Sequence, residues 1–130
     1  MSYRSKFEKS VAKHLTENKV RFKYETDKIK YVVPESNHTY LIDFKLPNGI
    51  IVETKGVMDL ATRKKMKLVK EQNPDLDIRF VFQRAQNPIR KGSKTTYATW
   101  ADKNGFKWAE GTVPTDWLNE KPRRNTKTTP

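Results

Sequence analysis

The run Pro47-Asn48-Gly49 lies between two apolar stretches, Tyr40 to Leu46 and Ile50 to Lys55, and leaves the chain few ways to fold there. A two-residue loop of Asn48-Gly49 would force Pro47 into a strand ladder, where it has no N–H to donate. A three-residue loop avoids this, with Pro47 opening a type I turn and Gly49 in the left-handed position. Leu46 then faces Ile50, and counting back along both strands sets Asp43 opposite Glu53, their Cβ atoms roughly 5 Å apart. Lys55 shares the face of Glu53, because strand side chains repeat every second residue.

Two facing carboxylates among Ile42, Phe44, Ile51 and Val52 repel each other, the more so in buried strands. A divalent cation such as Mg²⁺ is the simplest compensation, since it favours carboxylate oxygens and completes its shell with water and phosphate. The Lys55 ammonium adds to this and is placed to orient an attacking water. The plainer alternative is a solvated strand face with Lys55 as a cross-strand ion pair. The apolar neighbours and the charge of the chain weigh towards the metal.

That charge is +12, from 27 Lys and Arg against 15 Asp and Glu, and its natural partner is a polyanion. Nucleic acid is preferred to a membrane surface, because no segment pairs a strong apolar face with a basic one. No apolar run reaches the ~20 residues of a membrane span, and the N-terminus lacks a signal-peptide stretch, so a cytoplasmic location is expected. With no cysteine, disulfides and thiolate chemistry are excluded. Two histidines in no nucleophile pattern give a Ser-His-Asp hydrolase little support.

The remaining pattern is that of an α/β chain. Phe7, Val11 and Leu15 with Ala12 form one helical stripe, and Ser5 three residues before Glu8 has the form of a capping box. Val20 to Thr26 alternates as a strand, with Val20, Phe22 and Tyr24 inward and Arg21, Lys23 and Glu25 outward. Lys28 to Thr39, with Pro34 and a polar run, is read as a connection. A helix from about Asp59 to Gln72 ends at Asn73-Pro74, and a strand runs from Ile78 to Phe82. A polar loop follows to Lys94, then a short helix from about Thr96 to Lys103 and a last strand around Phe106 to Trp108. One domain over 1–118 and a flexible basic tail over 119–130 are expected. Hydrophobic residues are only 35% of the chain, which fits a small core or one shared with a second copy.

Ile42-Asp43 followed by Glu53-Thr54-Lys55 is similar to the motif of the PD-(D/E)XK nucleases, a short pattern with many false matches. The runs Ser36 to Tyr40, Leu46 to Ile50, Val52 to Gly56 and Leu76 to Arg79 resemble the phage endonuclease I family, in its order and spacing, from about Arg4 to Leu118. The resemblance implies a restriction-endonuclease-like mixed sheet flanked by helices, in an intertwined homodimer that exchanges residues 1–26. It implies a metal-dependent enzyme that resolves four-way (Holliday) junctions and other branched DNA, with Mg²⁺, or Mn²⁺ in its place.

By the same resemblance, Asp43 and Glu53 match metal-binding carboxylates, Lys55 the catalytic lysine, and the Thr54 carbonyl a further metal ligand. Glu8, in the run Arg4 to Glu8, matches a glutamate that completes the active site from the opposite subunit. The capping reading of Glu8 competes with this role. Ile42 stands where the family commonly has a proline, and Val57 to Ala61 also departs from its pattern. Arg4, Arg63, Lys64, Lys67 and Lys91 are candidate DNA contacts. The alternatives are a non-cleaving DNA-binding protein of the same fold and a related nuclease acting on another DNA structure.

Overall fold

A computed structural model describes residues 3–33 and 36–122. The Pro47-Asn48-Gly49 turn joins β4 (Phe44–Lys45) to β5 (Ile51–Lys55) in the counted register, with Phe44 opposite Val52 and Lys45 opposite Ile51. Leu46 N–H donates to Ile50 O at 2.9 Å and Gly49 N–H to Leu46 O at 3.0 Å. Gly49 has φ 91°, a conformation that costs glycine nothing and other residues strain.

β5 runs parallel to β6 (Ile78–Phe82), and β6 parallel to β7 (Lys107–Glu110). β1 (Lys23–Tyr24) adds to β4 antiparallel, giving a mixed sheet of order β1-β4-β5-β6-β7. The crossovers are α2 (Leu60–Gln72) between β5 and β6, and α3 (Tyr97–Lys103) between β6 and β7. β6 is buried at every residue, as a parallel strand covered on both faces must be.

Alternation along these strands feeds two cores. Ile51, Phe80 and Phe82 pack with Met66 and Val69 of α2 and with Trp100 and Phe106. Val52, Val81 and Phe44 pack with Val11 and Leu15 of α1 (Lys6–Glu17) and with Trp117 of the short α4 (Thr115–Leu118). Each such side chain is worth about 1.5–3 kcal/mol on burial, so the sheet centre is the stable part of the molecule. Trp100 and Trp117 are thus packing residues, and Trp108 is half-buried with its indole N–H on Asp102 at 2.9 Å.

Several expectations are corrected. Lys28 to Thr39 is a hairpin, not a connection: β2 (Lys28–Val33) pairs antiparallel with β3 (Ser36–Leu41), outside the main sheet. The alternation of Lys28 to Val33 was outweighed by Pro34, which with Glu35 lies outside the described residues. The single strand expected over Tyr40 to Leu46 is split between β3 and β4, because the chain changes partner at Ile42-Asp43. The strand expected over Val20 to Thr26 is paired only at Lys23-Tyr24. On α2, the buried residues are Met66 and Val69, while Ala61 in the first turn is exposed. His14 is half-buried, its Nε2 2.9 Å from Val113 O.

Ordered contacts continue past the expected domain limit: Asn48 Nδ2 donates to Trp117 O at 2.8 Å and to Glu120 O at 3.0 Å. The tail expectation beyond Pro122 lies outside the described residues. Among the described residues no helix is long and apolar enough to cross a membrane.

Candidate active site

Asp43 sits where the β4 ladder stops. The Ile42 N–H donates to Asp27 O at 3.2 Å, and Asp43 O accepts the Glu25 N–H at 3.1 Å, so the backbone has left β5. Thr54, the next residue of β5 to need a partner, donates its N–H to Asp43 Oδ2 at 2.9 Å, and its hydroxyl does the same at 2.9 Å. The carboxylate replaces a ladder carbonyl and is 1% exposed. Thr54, the expected carbonyl ligand, is thereby placed beside Asp43.

Glu53, at the buried centre of β5, accepts a very short hydrogen bond from the Tyr40 hydroxyl through Oε2. Its Oε1 lies 3.3 Å from Lys55 Nζ, so the expected Glu53–Lys55 proximity is present. Lys65 of α2 stands over the Tyr40 ring, 5.3 Å from its centroid, and adds positive charge to this side.

Glu8 projects from the first turn of α1 into the same region. Ser5 caps the helix, its Oγ accepting the Glu8 N–H at 3.0 Å. The Glu8 carboxylate does not close the capping box on Ser5; Oε1 accepts instead from Arg4 N–H at 2.9 Å and Tyr24 OH at 2.8 Å. The structure therefore draws Glu8 away from a pure capping role and brings it to Asp43 on one cleft of about 350 Å³, lined also by Arg4, Thr54, Lys55 and Val57.

The Arg4 guanidinium bridges this cleft, Nε 3.0 Å from Glu25 Oε2 and Nη2 3.4 Å from Asp43 Oδ1 and 4.0 Å from Glu8 Oε2. Glu25 was expected to face solvent, yet its side chain is only 19% exposed. Its backbone is left-handed, φ 49°, which breaks the strand alternation and turns the carboxylate inward.

Electrostatics set this site apart. Burial first, then the Glu53 charge, pushes Asp43 up to about 7, against the pull of the Thr54 N–H. Burial also raises Glu53, although Lys55 and the Tyr40 hydrogen bond oppose it. Burial and then Glu53 hold Tyr40 well above its ordinary value, so it remains a donor. Partial burial lowers Arg4, but Glu25, Asp43 and Glu8 outweigh it.

Among the described residues, no three His, Cys, Asp or Glu side chains already converge as a metal-holding group. Mg²⁺ does not require one, because it binds through one or two carboxylates and keeps water and phosphate as its other ligands. Two buried carboxylates, both held back from ionisation foremost by burial, are a ligand set that fits such an ion.

Of the candidate DNA contacts, only Arg4 lines the cleft. Arg63 is half-buried and donates from Nε to Met58 O at 3.2 Å, while Lys64, Lys67 and Lys91 are exposed and line other surface. Sequence reasoning missed Tyr40, Glu25, Tyr24 and Lys65. Tyr40 was visible as the end of a motif run, but the positive φ that recruits Glu25 leaves no mark in a non-glycine sequence.

The whole chain can be placed by comparison. The sequence matches the phage endonuclease I family over residues 1–129. The chain belongs to the phage endonuclease I family. It is 46% identical over 119 residues to "Endonuclease I" of Escherichia phage T7, covering 92% of this chain and 80% of that protein. It is 44% identical over 119 residues to "Endodeoxyribonuclease 1" of Enterobacteria phage T3, covering 92% of this chain and 78% of that protein. The resemblance read from the motif runs at Ser36, Leu46, Val52 and Leu76 is therefore borne out, and family membership extends over all the site residues described above.

Proposed function

We propose that the chain is a metal-dependent DNA endonuclease that cuts branched DNA, chiefly four-way junctions, and that it works as a homodimer in the host cell cytoplasm. The observation that carries this reading is the hairpin that sets Asp43 and Lys55 on a cleft that also holds Glu8, with the buried Glu53 carboxylate 3.3 Å behind Lys55 Nζ. The name of the T7 relative supports an endonuclease, and that of the T3 relative supports DNA as the substrate class.

Asp43 and Glu53 would hold Mg²⁺, with Glu8 and the Thr54 carbonyl completing its protein ligands. When bound, the metal supplies a water of lowered pKa and stabilises charge on the leaving oxygen. Lys55, 3.3 Å from Glu53 Oε1, would orient the attacking water or the phosphate. Tyr40 holds one oxygen of Glu53, fixing which face the carboxylate presents. Thr54 does the same for Asp43 with two donors. Lys64, Lys67 and Lys91 remain exposed for phosphate contacts, which position DNA without reading bases.

The PD-(D/E)XK assignment is supported by the antiparallel β4–β5 hairpin that carries Asp43 and Glu53-Thr54-Lys55 beside a parallel β6. The exchange of residues 1–26 is supported by their attachment. α1 packs on one face of the sheet and β1 is an edge strand paired with β4, a surface that an identical segment of a second copy fits equally well. Asp43→Ala mixed with Glu8→Ala should then regain one intact site per dimer; no recovery after verified subunit exchange rejects the exchange.

A supercoiled plasmid with an extruded cruciform, incubated in Mg²⁺ and separately in Ca²⁺, tests the activity. Paired cuts at the cruciform in Mg²⁺ are expected. Binding without cutting in Mg²⁺ or Mn²⁺ would leave a non-cleaving DNA-binding protein, and equal cutting of unbranched DNA a nuclease of other substrate.

A further inference from the structure

Arg4 is an unusual cation for its place. Its side chain is 64% exposed, yet its guanidinium is within ion-pair distance of three carboxylates that are themselves largely buried: Glu8, Glu25 and Asp43. A surface arginine loses side-chain entropy by settling in one such geometry, and exposed pairs seldom repay that loss. The negative charge around it explains why it settles. The shortest contact is to Glu25, through an Oε2 that is buried and has no hydrogen bond of its own: Arg4 Nε is at 3.0 Å but off the N–H line. Glu25 reaches this position only by adopting φ 49°, a conformation a non-glycine residue occupies at a cost. That strain is held by the Glu25 N–H bond to Asp43 O at 3.1 Å, so the tether and the catalytic carboxylate are parts of one strand junction.

We propose that Arg4 is the resident counter-cation of the catalytic carboxylates, tethered by Glu25. It yields Asp43 and Glu8 to an arriving divalent ion, keeps Glu25, and turns its freed edge to the phosphodiester. This rests on the metal-dependent nuclease reading above. Arg4, Glu8, Tyr24 and Glu25 all lie in residues 1–26, so the relation to Asp43 holds whether that segment belongs to the same chain or to a partner. The arrangement makes one charge serve two states: it neutralises the acids before the metal and the phosphate after it. Glu25 is a positioning residue, acting through Arg4.

Mg²⁺ affinity is measured by isothermal titration without DNA, and cruciform cutting at saturating Mg²⁺, for the wild type, Arg4→Ala, Arg4→Gln, Glu25→Gln and Lys6→Ala. Both Arg4 variants should bind Mg²⁺ about tenfold more tightly, yet cut at least about tenfold more slowly once saturated, for want of a charged phosphate contact. Glu25→Gln should slow cutting similarly without tightening Mg²⁺ binding. Lys6→Ala removes the same charge from an exposed site of the same turn and should move neither quantity beyond about twofold. Unchanged or weaker Mg²⁺ binding in folded Arg4 variants overturns the inference while leaving the nuclease reading intact. A wild type that neither binds Mg²⁺ nor cuts overturns the reading on which it rests.

Discussion

Two clusters of buried charge lie along the central strands, and they are built on opposite plans. At the start of β6, Arg79 is 1% exposed and held by Asp77 through Nε and Nη2, at 2.9 and 2.8 Å, and by Glu120 through Nη1 and Nη2, at 2.5 and 2.8 Å. Trp117 covers it at 5.2 Å from the ring centroid. Each guanidinium nitrogen there has an acceptor, and the Glu120 hydrogen bond foremost holds the group well above its ordinary pKa. At the far end of β5, Asp43 and Glu53 are as deeply buried, and burial foremost pushes both towards protonation, more than the nearby positive charge offsets. The first cluster uses matched charge to fix the chain after α4. The second keeps a deficit, as the cation site proposed above would require.

The comparison is most sharply broken by neutral substitutions at the deficit. Asp43→Asn and Glu53→Gln should each lower cruciform cutting by at least about a thousandfold while the melting temperature holds or rises, because a repelling charge leaves the interior. A fall in both would mean that the carboxylates are structural. Arg79→Ala should do the reverse. It strips a buried cation from two carboxylates and Trp117, and about 3 kcal/mol of stability should go in urea unfolding, with Glu120 partly screened by water. Cutting per folded molecule should be retained.

Acid titration sharpens the same contrast. Asp43 has its folded pKa raised to about 7 from an ordinary value near 3.8. Between those values the folded state binds more protons than the unfolded one, so stability falls as pH rises. The contribution is present in full below the ordinary carboxylate range and is lost by the time pH passes about 7. Thermal melts from pH 4 to 8 should show this decline in wild type, and Asp43→Asn should flatten it. Saturating Ca²⁺ should flatten it as well, by favouring the ionised acid. The smallest effect is expected from Tyr40→Phe, which removes one donor from Glu53: about 1 kcal/mol of stability and up to about tenfold in cutting. An unaltered rate would show that Tyr40 has no part in holding the ligand.

What could be read from the sequence was whatever turn chemistry and periodicity dictate. Pro47 and Gly49 admit one loop length, and one loop length fixes the register that sets Asp43 against Glu53. Ser5, Asp59 and Thr96 each cap the helix that follows them, because a side-chain oxygen there meets an unpaired N–H whatever the tertiary context. The β2–β3 hairpin was hidden because Pro34 and the polar run after it carry the composition of a connection. The Arg4–Glu25 contact was hidden for a different reason, since alternation assumes an extended backbone and Glu25 does not have one. Arg79 shows the same limit: an arginine in an apolar strand gives no hint of which acids will meet it, and Glu120 comes from a segment expected to be loose.

Asp43 has one further consequence, through its bonds to Thr54. A hairpin that slipped by one residue would leave the Thr54 amide without this acceptor and would also carry the Asp43 carboxylate to the other face of the strand. The same two hydrogen bonds thus couple hairpin register to site geometry: a misaligned hairpin would lose both at once.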